Sequence, residues 1–311
     1  MGNESIATLN DNHYDRAIIT AASDSYANFL FAMIGSLNCN WPGHPPVLVY
    51  DIGLQQDSIE ELERAKVPVI RVPPFCEHWR YHYSWKVWCM NAAPCETFLW
   101  LDAGVSVLRP LEEVFHCAES LGYFFVPAGY PLSWGVNEFL RDRFSVDEKV
   151  LCEIPSIFAC FFAMNRHKCR TVIDRAFELC LIEDAMKCLK AYDRHDQDVI
   201  SLLMHLHSGP LVYADQKLFG EWIAPEMHHC QKIWCHRRRI RSEDIDFFRR
   251  YLDKPGHPHI PRAPEYLHPP LNRLQRLRIW FAKKRGRYAY PPALPQPTGG
   301  GIHDGVRDNF V

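Results

Sequence analysis

Two acids in this 311-residue chain stand where an open α/β sheet delivers its chemistry. Asp51 follows the apolar run Val47-Leu48-Val49-Tyr50, and Asp102 follows Thr97-Phe98-Leu99-Trp100-Leu101. Uninterrupted apolar runs of this length read as strands buried on both faces, and ligands collect outside the carboxyl ends of such strands. The first strand, Ala17-Ile18-Ile19-Thr20, runs into the small residues Ala21, Ala22 and Ser23. The ends at Ala22, Asp51 and Asp102 are therefore predicted to converge on one crevice. Later in the chain Asp196-Gln197 opens an apolar-periodic segment, and His236 heads the basic run Arg237-Arg238-Arg239. No G-x-G-x-x-G follows the first strand and no Walker loop occurs, which argues against dinucleotide and P-loop enzymes. G-x-S-x-G and H-E-x-x-H are also absent, so the nucleophile-elbow and zincin chemistries fall away.

The elements that must position these residues alternate between strand and helix over the first hundred residues, the pattern of an α/β domain with a largely parallel sheet. Phe29, Leu30, Met33, Ile34 and Leu37 recur at helical spacing behind a Ser/Asp cap. A capping box, Ser58-x-x-Glu61, is expected to open the next helix. A short third strand spans 69–72, and a helix over 83–93 precedes the strand that ends at Asp102. Further strands are expected at 123–126, 157–164 and 211–213, with helices near 168–182 and 197–206. No internal repeat is found.

Composition sets the class. The chain is 47% hydrophobic, 13% aromatic and 23% charged, which excludes a disordered, collagen-like or coiled-coil protein. The opening residues have neither a basic n-region nor an apolar h-region, so the expectation is a cytoplasmic protein that is neither secreted nor integral to a membrane. Twelve cysteines sit scattered through apolar patterns with no C-x-x-C pair, which reads as reduced, buried thiols rather than bridges or zinc ligands. The net charge of −2 conceals an asymmetry: residues 1–236 hold 19 basic against 30 acidic side chains, whereas residues 237–290 hold 15 against 5. An anionic partner belongs with the second segment.

Taken in order, AIITAASDSYANFLFAMIGSL, VLVYDIGL, YSWKVWCMNAAPCETFLWLDAGVSVL, RHDQDVISLL and IWCHRRR resemble a GT-A glycosyltransferase of the family 8-like kind, over residues 15 to about 240. The resemblance implies a single Rossmann-like GT-A domain with a mostly parallel central sheet over 1–252, and a hexosyltransferase using a nucleotide-sugar, UDP-linked, with retention. It implies a D-x-D motif at Asp102-Ala103-Gly104, in which the second carboxylate is absent, and a later histidine at His236. These two residues would share Mn²⁺ or Mg²⁺ with phosphate oxygens and water. It also implies that Ala21, Ala22 and Ser23 lie against base and ribose, that Tyr26 stacks on the base, and that Asp51 accepts from its ring N–H. Lys86 matches a basic position before the D-x-D strand, and Asp196-Gln197 matches the pair near the donor sugar's reactive face. Transfer leaves a diphosphate whose charge grows in the transition state, so metal or Arg/Lys donors must neutralise it. Arg237 and Arg238, with Lys86, are the metal-free alternative, since guanidinium forks match phosphate oxygens.

On the acceptor side, a glycan or glycolipid, Tyr130, Trp134 and Asn137 lie in a Gly/Pro-containing loop of the kind that stacks on sugars. Two other functions compete: a non-catalytic nucleotide- or glycan-binding descendant, made plausible by the lost carboxylate, and a sugar nucleotidyltransferase, whose Gly-rich loop is absent. The extension 253–311 opens with prolines at 255, 258, 261, 264, 269 and 270 and closes on a Pro/Gly-rich stretch. Between them 271–287 combines an aliphatic-aromatic stripe with Arg and Lys, the composition of a helix for an anionic membrane surface. No nucleic-acid motif accompanies it.

Overall fold

The computed structural model describes residues 13–187, 195–219 and 230–262. The chain opens with β1 (Tyr14–Ala22), a 3-10 turn at Asp24–Tyr26, α1 (Ala27–Asn40), β2 (Val47–Asp51), α2 (Gln56–Arg64) and β3 (Val69–Arg71). Then come α3 (Ser84–Ala92), β4 (Cys95–Leu101), β5 (Val105–Val107), α4 (Glu112–Leu121), β6 (Tyr123–Phe124) and β7 (Pro127–Pro131). A second 3-10 turn, Leu132–Trp134, leads to α5 (Glu138–Phe144), α6 (Glu148–Glu153), β8 (Pro155–Ile157) and β9 (Phe161–Asn165). The described chain closes with α7 (Arg170–Cys180), α8 (Glu183–Met186), α9 (His195–Ser208), β10 (Ile233–Cys235) and α10 (Ser242–Arg249).

The central sheet has the order β3-β2-β1-β4-β9-β6. β1 pairs in parallel with both β2 and β4, and only β9 runs against its neighbours. Connections from β1 go outward through β2 and β3, then return to put β4 on β1's other side. This reversal opens a crevice at the carboxyl ends of β1 and β4. Period-two alternation sorts the strand side chains: Ala17, Ile19, Phe98 and Trp100 join one core with α3, α7 and α9, while Ile18, Leu99 and Leu101 join the other with α1, α2 and α4. A third cluster seals α1 to α10 through Ala32, Trp234 and Phe248.

Several expectations shift. The second helix starts at Gln56, so Ser58 lies inside its first turn and the capping box does not form; Asp24, in the 3-10 turn after β1, accepts from Gln55 N and Ser58 Oγ at 3.4 Å each. The run 157–164 divides into β8 and β9, and the break sends the Cys160 carbonyl to Asp102 N at 3.0 Å. Residues 211–213 are extended without a ladder, held where Tyr123 OH accepts from Val212 N. The ribbon β5–β10 and helices α4, α5, α6, α8 and α10 escaped the sequence pattern. Described cysteines are free thiols, and no helix among the described residues is long and apolar enough to cross a membrane. The helix expected at 271–287 and its membrane contact lie outside the described residues.

α1 and α10 touch where Gly35 faces the Phe248 carbonyl, and a Cβ at 35 would overlap that oxygen and approach Phe248 Cα at 3.0 Å. Gly35→Ala gains about 1 kcal/mol of helix propensity but forces two packed helices apart, an overpacking cost on the order of 3 kcal/mol. The expected result is a net loss near 2 kcal/mol by urea unfolding, with unchanged slope.

Candidate active site

At the carboxyl end of β4 the chain leaves the sheet through Asp102, whose backbone N–H is held by the Cys160 carbonyl. Asp102 Oδ1 accepts from the buried Trp100 Nε1 at 2.7 Å and from Lys86 Nζ at 3.1 Å. Lys86 comes from α3, is 4% exposed, and also meets Asp196 Oδ2 from α9 at 3.0 Å and the Ala159 carbonyl at 3.1 Å. One ammonium thus ties three elements together beneath the crevice. Burial works to strip its proton, but the carboxylates of Asp102 and Asp196 outweigh burial and raise its affinity for the proton above that of an ordinary lysine. Lys86 stays charged, with Nζ 5.0 Å from the centre of the Trp100 ring.

The β5–β10 ribbon brings in the second half. Cys235 pairs with Val105, and the next two amides, His236 N and Arg237 N, both donate to the Gly104 carbonyl at 3.0 and 3.1 Å. His236 is 2% exposed, and among the described residues neither ring nitrogen has a hydrogen-bond partner. Burial pushes its pKa down to about 3, so the imidazole is neutral. Arg237 and Arg238 then turn in the left-handed region, at φ 46° and 71°. A Cβ at 104 would sit 3.3 Å from Arg237 Cα and 3.5 Å from its nitrogen, so a side chain there would need the arginine turn to give by a few tenths of an ångström.

A neutral imidazole with two orphaned nitrogens is a competent ligand for Mn²⁺ or Mg²⁺, and Asp102 Oδ2 accepts no hydrogen bond among the described residues. No cluster of three or more His, Cys, Asp or Glu ligands occurs among those residues. Among the described residues Asp102 and His236 thus offer one carboxylate oxygen and one imidazole, so an ion held by both would need its remaining ligands from elsewhere.

At the end of β1, Ala21 and Ala22 turn their methyl groups into opposite cores, so only their backbone borders the crevice. Ser23 stands at the edge, its Oγ 3.1 Å from Ser25 Oγ. Asp51 Oδ1 accepts from Gly53 N at 2.7 Å and Leu54 N at 2.6 Å, which makes that oxygen a turn former. Tyr26 is 36% exposed, but the Arg238 guanidinium covers one ring face at 3.9 Å. Arg237 is exposed at the crevice mouth. Two residues were missed by sequence reasoning. Arg80 Nη2 lies 4.0 Å from a Cβ built on Gly53, beside Ser23. Tyr83, in the left-handed region at φ 54°, stands near Asp196, Lys86 and Tyr26, its hydroxyl pKa raised by burial and then by Asp196. The aromatic and basic run Trp79-Arg80-Tyr81-His82-Tyr83 ahead of Lys86 was the available signal.

Gln197, one residue beyond Asp196, donates from Nε2 to Ser156 Oγ at 3.1 Å and to Tyr130 OH. Tyr130 and Trp134 are stacked, with ring centres 5.8 Å apart. Asn137 does not share the acceptor role expected of it. Its Oδ1 caps α5 by accepting from Leu140 N at 2.9 Å, and Nδ2 donates to the Asp184 and Lys187 carbonyls. A buried side chain with all these bonds made is a structural tie.

No protein-family model matches the chain, and no curated protein does. Among solved structures, the bifunctional glycosyltransferase WbbM in its apo form is similar at TM-score 0.53 and 12% identity, over 78% of this chain and 50% of that one. The glycosyltransferase GlyE of Streptococcus pneumoniae TIGR4 is similar at TM-score 0.49 and 13% identity, over 78% of this chain and 60% of that one. The galactosyltransferase LgtC, solved with donor and acceptor sugar analogs, gives TM-score 0.47 and 15% identity over 94% and 99%. This chain thus spans about half to three-fifths of the length of WbbM and GlyE. The structure has the GT-A fold, a mixed α/β sheet that is mostly parallel, and its structural neighbours are glycosyltransferases.

A histidine that is neutral in the fold and titrates near 6.5 when unfolded makes the unfolded chain bind more protons below that pH, so stability falls as pH drops from about 6.5 toward 3. Between pH 6.5 and 5, metal-free protein should lose about 1.6 kcal/mol through this group alone. His236→Leu should flatten the wild-type slope by that amount in urea titrations at the two pH values. An unchanged slope would mean that His236 protonates in place.

Proposed function

We propose that this chain is a glycosyltransferase that moves a sugar from a nucleotide-sugar, UDP-linked, to a glycan or glycolipid acceptor with retention, using the 1–252 unit as its catalytic domain. The observation that carries the reading is the buried Asp102–Lys86–Asp196 cluster at the switch point of a GT-A sheet, beside the orphaned His236. Asp102 and His236 would hold a divalent ion, which when bound neutralises charge on the departing diphosphate. Arg237, Arg238 and Arg80 add guanidinium donors at the mouth, suited to phosphate oxygens. The backbone of Ala21 and Ala22, with Ser23, Tyr26 and Asp51, forms the nucleotide edge.

In the transfer the acceptor hydroxyl oxygen bonds to the anomeric carbon as the bond from that carbon to the diphosphate oxygen breaks, and the hydroxyl proton passes to the leaving diphosphate. No enzymic base is required on the incoming face. That agrees with Asp196 being committed to Lys86 and with Gln197 being an amide that orients without ionising. The basic segment 271–287 would place the enzyme on an anionic lipid surface, where a glycolipid acceptor resides.

Release of UDP from a panel of UDP-sugars with Mn²⁺ tests the reading, with GDP- and CMP-sugars alongside; nucleotide binding without turnover of any donor would instead favour a non-catalytic descendant, the reading that Gly104 invites. In the active enzyme Asp102→Asn should lower turnover about a hundredfold or more, since it removes the one carboxylate aimed at metal and diphosphate. Near-normal turnover would leave Asp102 as a strand end. Gln197→Ala should reduce kcat more than it raises donor KM, because a group serving the anomeric centre acts chiefly in the transition state. A pure KM effect would reassign Gln197 to donor binding.

A further inference from the structure

An arginine covers the ring face that the nucleotide edge presents. Arg238 leaves the chain beside Gly104, its backbone nitrogen 3.9 Å from a Cβ built there, two residues beyond Asp102. Its guanidinium ends on the other side. At the carboxyl end of β1 that group lies 3.9 Å from the centre of the Tyr26 ring, and Nη2 donates to Ser25 Oγ at 3.4 Å. The side chain therefore spans the crevice from the end of β4 to the end of β1.

This resting place is held weakly. A hydrogen bond of 3.4 Å is longer than the usual range, and a guanidinium on a partly exposed ring contributes only about two- to fivefold to an equilibrium constant. Arg237 and Arg239 are exposed as well, so three like charges share one turn. The ring beneath is better fixed: the centres of Tyr26 and Phe29 are 6.0 Å apart and those of Phe29 and His236 6.1 Å, so Tyr26 keeps its place with or without the arginine.

We propose that Arg238 is a specificity-determining residue: it covers Tyr26 against ligands that carry only an aromatic base, and a nucleoside diphosphate draws it off the ring onto phosphate oxygens beside Asp102 and His236. This rests on the nucleotide-sugar reading above. Tyr26 as base platform and Arg238 as phosphate donor cannot both act while one covers the other, and the exchange frees each for its partner. Phosphate decides the exchange. Hydrogen bonds from a guanidinium to phosphate oxygens are charge-assisted and can be bidentate, about twice as strong as neutral ones, whereas a base alone must displace the guanidinium and gives it nothing in return. A nucleoside diphosphate supplies both partners at once, one for the ring and one for the arginine. Selection is thus by phosphate, whatever the base.

The test is isothermal titration calorimetry of the full chain with uridine and UDP, and with guanosine and GDP, at fixed ionic strength with Mn²⁺. Weakly bound nucleosides are read by displacement of the diphosphate. Arg238→Ala should bind the nucleoside about threefold more tightly than wild type and its diphosphate about tenfold or more weakly. The shifts have opposite signs, which neither misfolding nor the loss of a simple contact produces. Arg238→Gly, which suits the left-handed backbone at this position, should give the same pair of shifts, and adding Tyr26→Leu to Arg238→Ala should abolish the gain for nucleoside. If nucleoside and diphosphate weaken together, or nucleoside binding is unchanged, Arg238 is an ordinary contact; the selection is then overturned and the donor reading stands. If wild type binds neither UDP nor GDP, the donor reading falls and the selection falls with it.

Discussion

Two carboxylates from different elements approach one ammonium beneath the crevice, and most of the site's geometry follows from that arrangement. Asp102 and Asp196 would repel each other in a region largely closed to solvent, and Lys86 makes their approach tolerable. Burying such a cluster is no efficient way to stabilise a fold, since desolvation consumes much of the Coulomb gain. What it supplies is position. The end of β4, the first turn of α3 and the first turn of α9 are pinned within two ion-pair distances of each other, and the Ala159 carbonyl adds the break between β8 and β9. With one positive and two negative charges the cluster keeps a net negative charge.

The same economy of space governs the altered motif. His236 and Arg237 both bond back to the Gly104 carbonyl, and the chain then reverses through two left-handed arginines. Left-handed conformation costs a side-chain-bearing residue about 1 kcal/mol or more, so the turn persists only because the ribbon and the packing around Trp234 fix both its ends. A Cβ at 104 would meet this turn at 3.3 Å, so the turn would have to give by a few tenths of an ångström. The guanidinium groups of Arg237 and Arg238 stand exposed beyond this turn.

Much of this was legible in the sequence, and the parts that were not have physical reasons. Asp102 was found because a strand buried on both faces announces itself as an apolar run and its end is therefore visible. The same signal located β1 and β2, and the alternation of strand and helix identified the sheet. The burial of Lys86 and His236 was not visible, because a lysine on a nine-residue helix and a histidine before three arginines look solvated in one dimension. Only the tertiary partners Asp196 and Gly104 bring them inside. The loop 73–83 was opaque for a different reason: its Arg80 and Tyr83 depend on left-handed backbone at His82 and Tyr83, which no periodicity encodes. Asn137 was misread because a polar residue in a Gly/Pro loop serves equally well as ligand or cap, and three hydrogen bonds decide for the cap.

The first turn of α9 gathers these strands of the design into three consecutive residues. Asp196 faces Lys86 and the donor side, Gln197 reaches β7 and β8, and Asp198 backs the glycine that follows Trp134. Successive positions on a helix point about 100° apart, so one turn can address three directions at once. A helix start is also stiff: its residues are fixed by the turn they begin, and Ser201 Oγ locks the turn by donating to the Gln197 carbonyl at 2.5 Å while accepting from Ile157 N at 2.9 Å. The ion pair with Lys86, the Gln197 amide and the contact behind Gly135 are thereby carried on one rigid piece. Their relative placement does not depend on loops closing in concert, and a shift of this one turn would misalign all three.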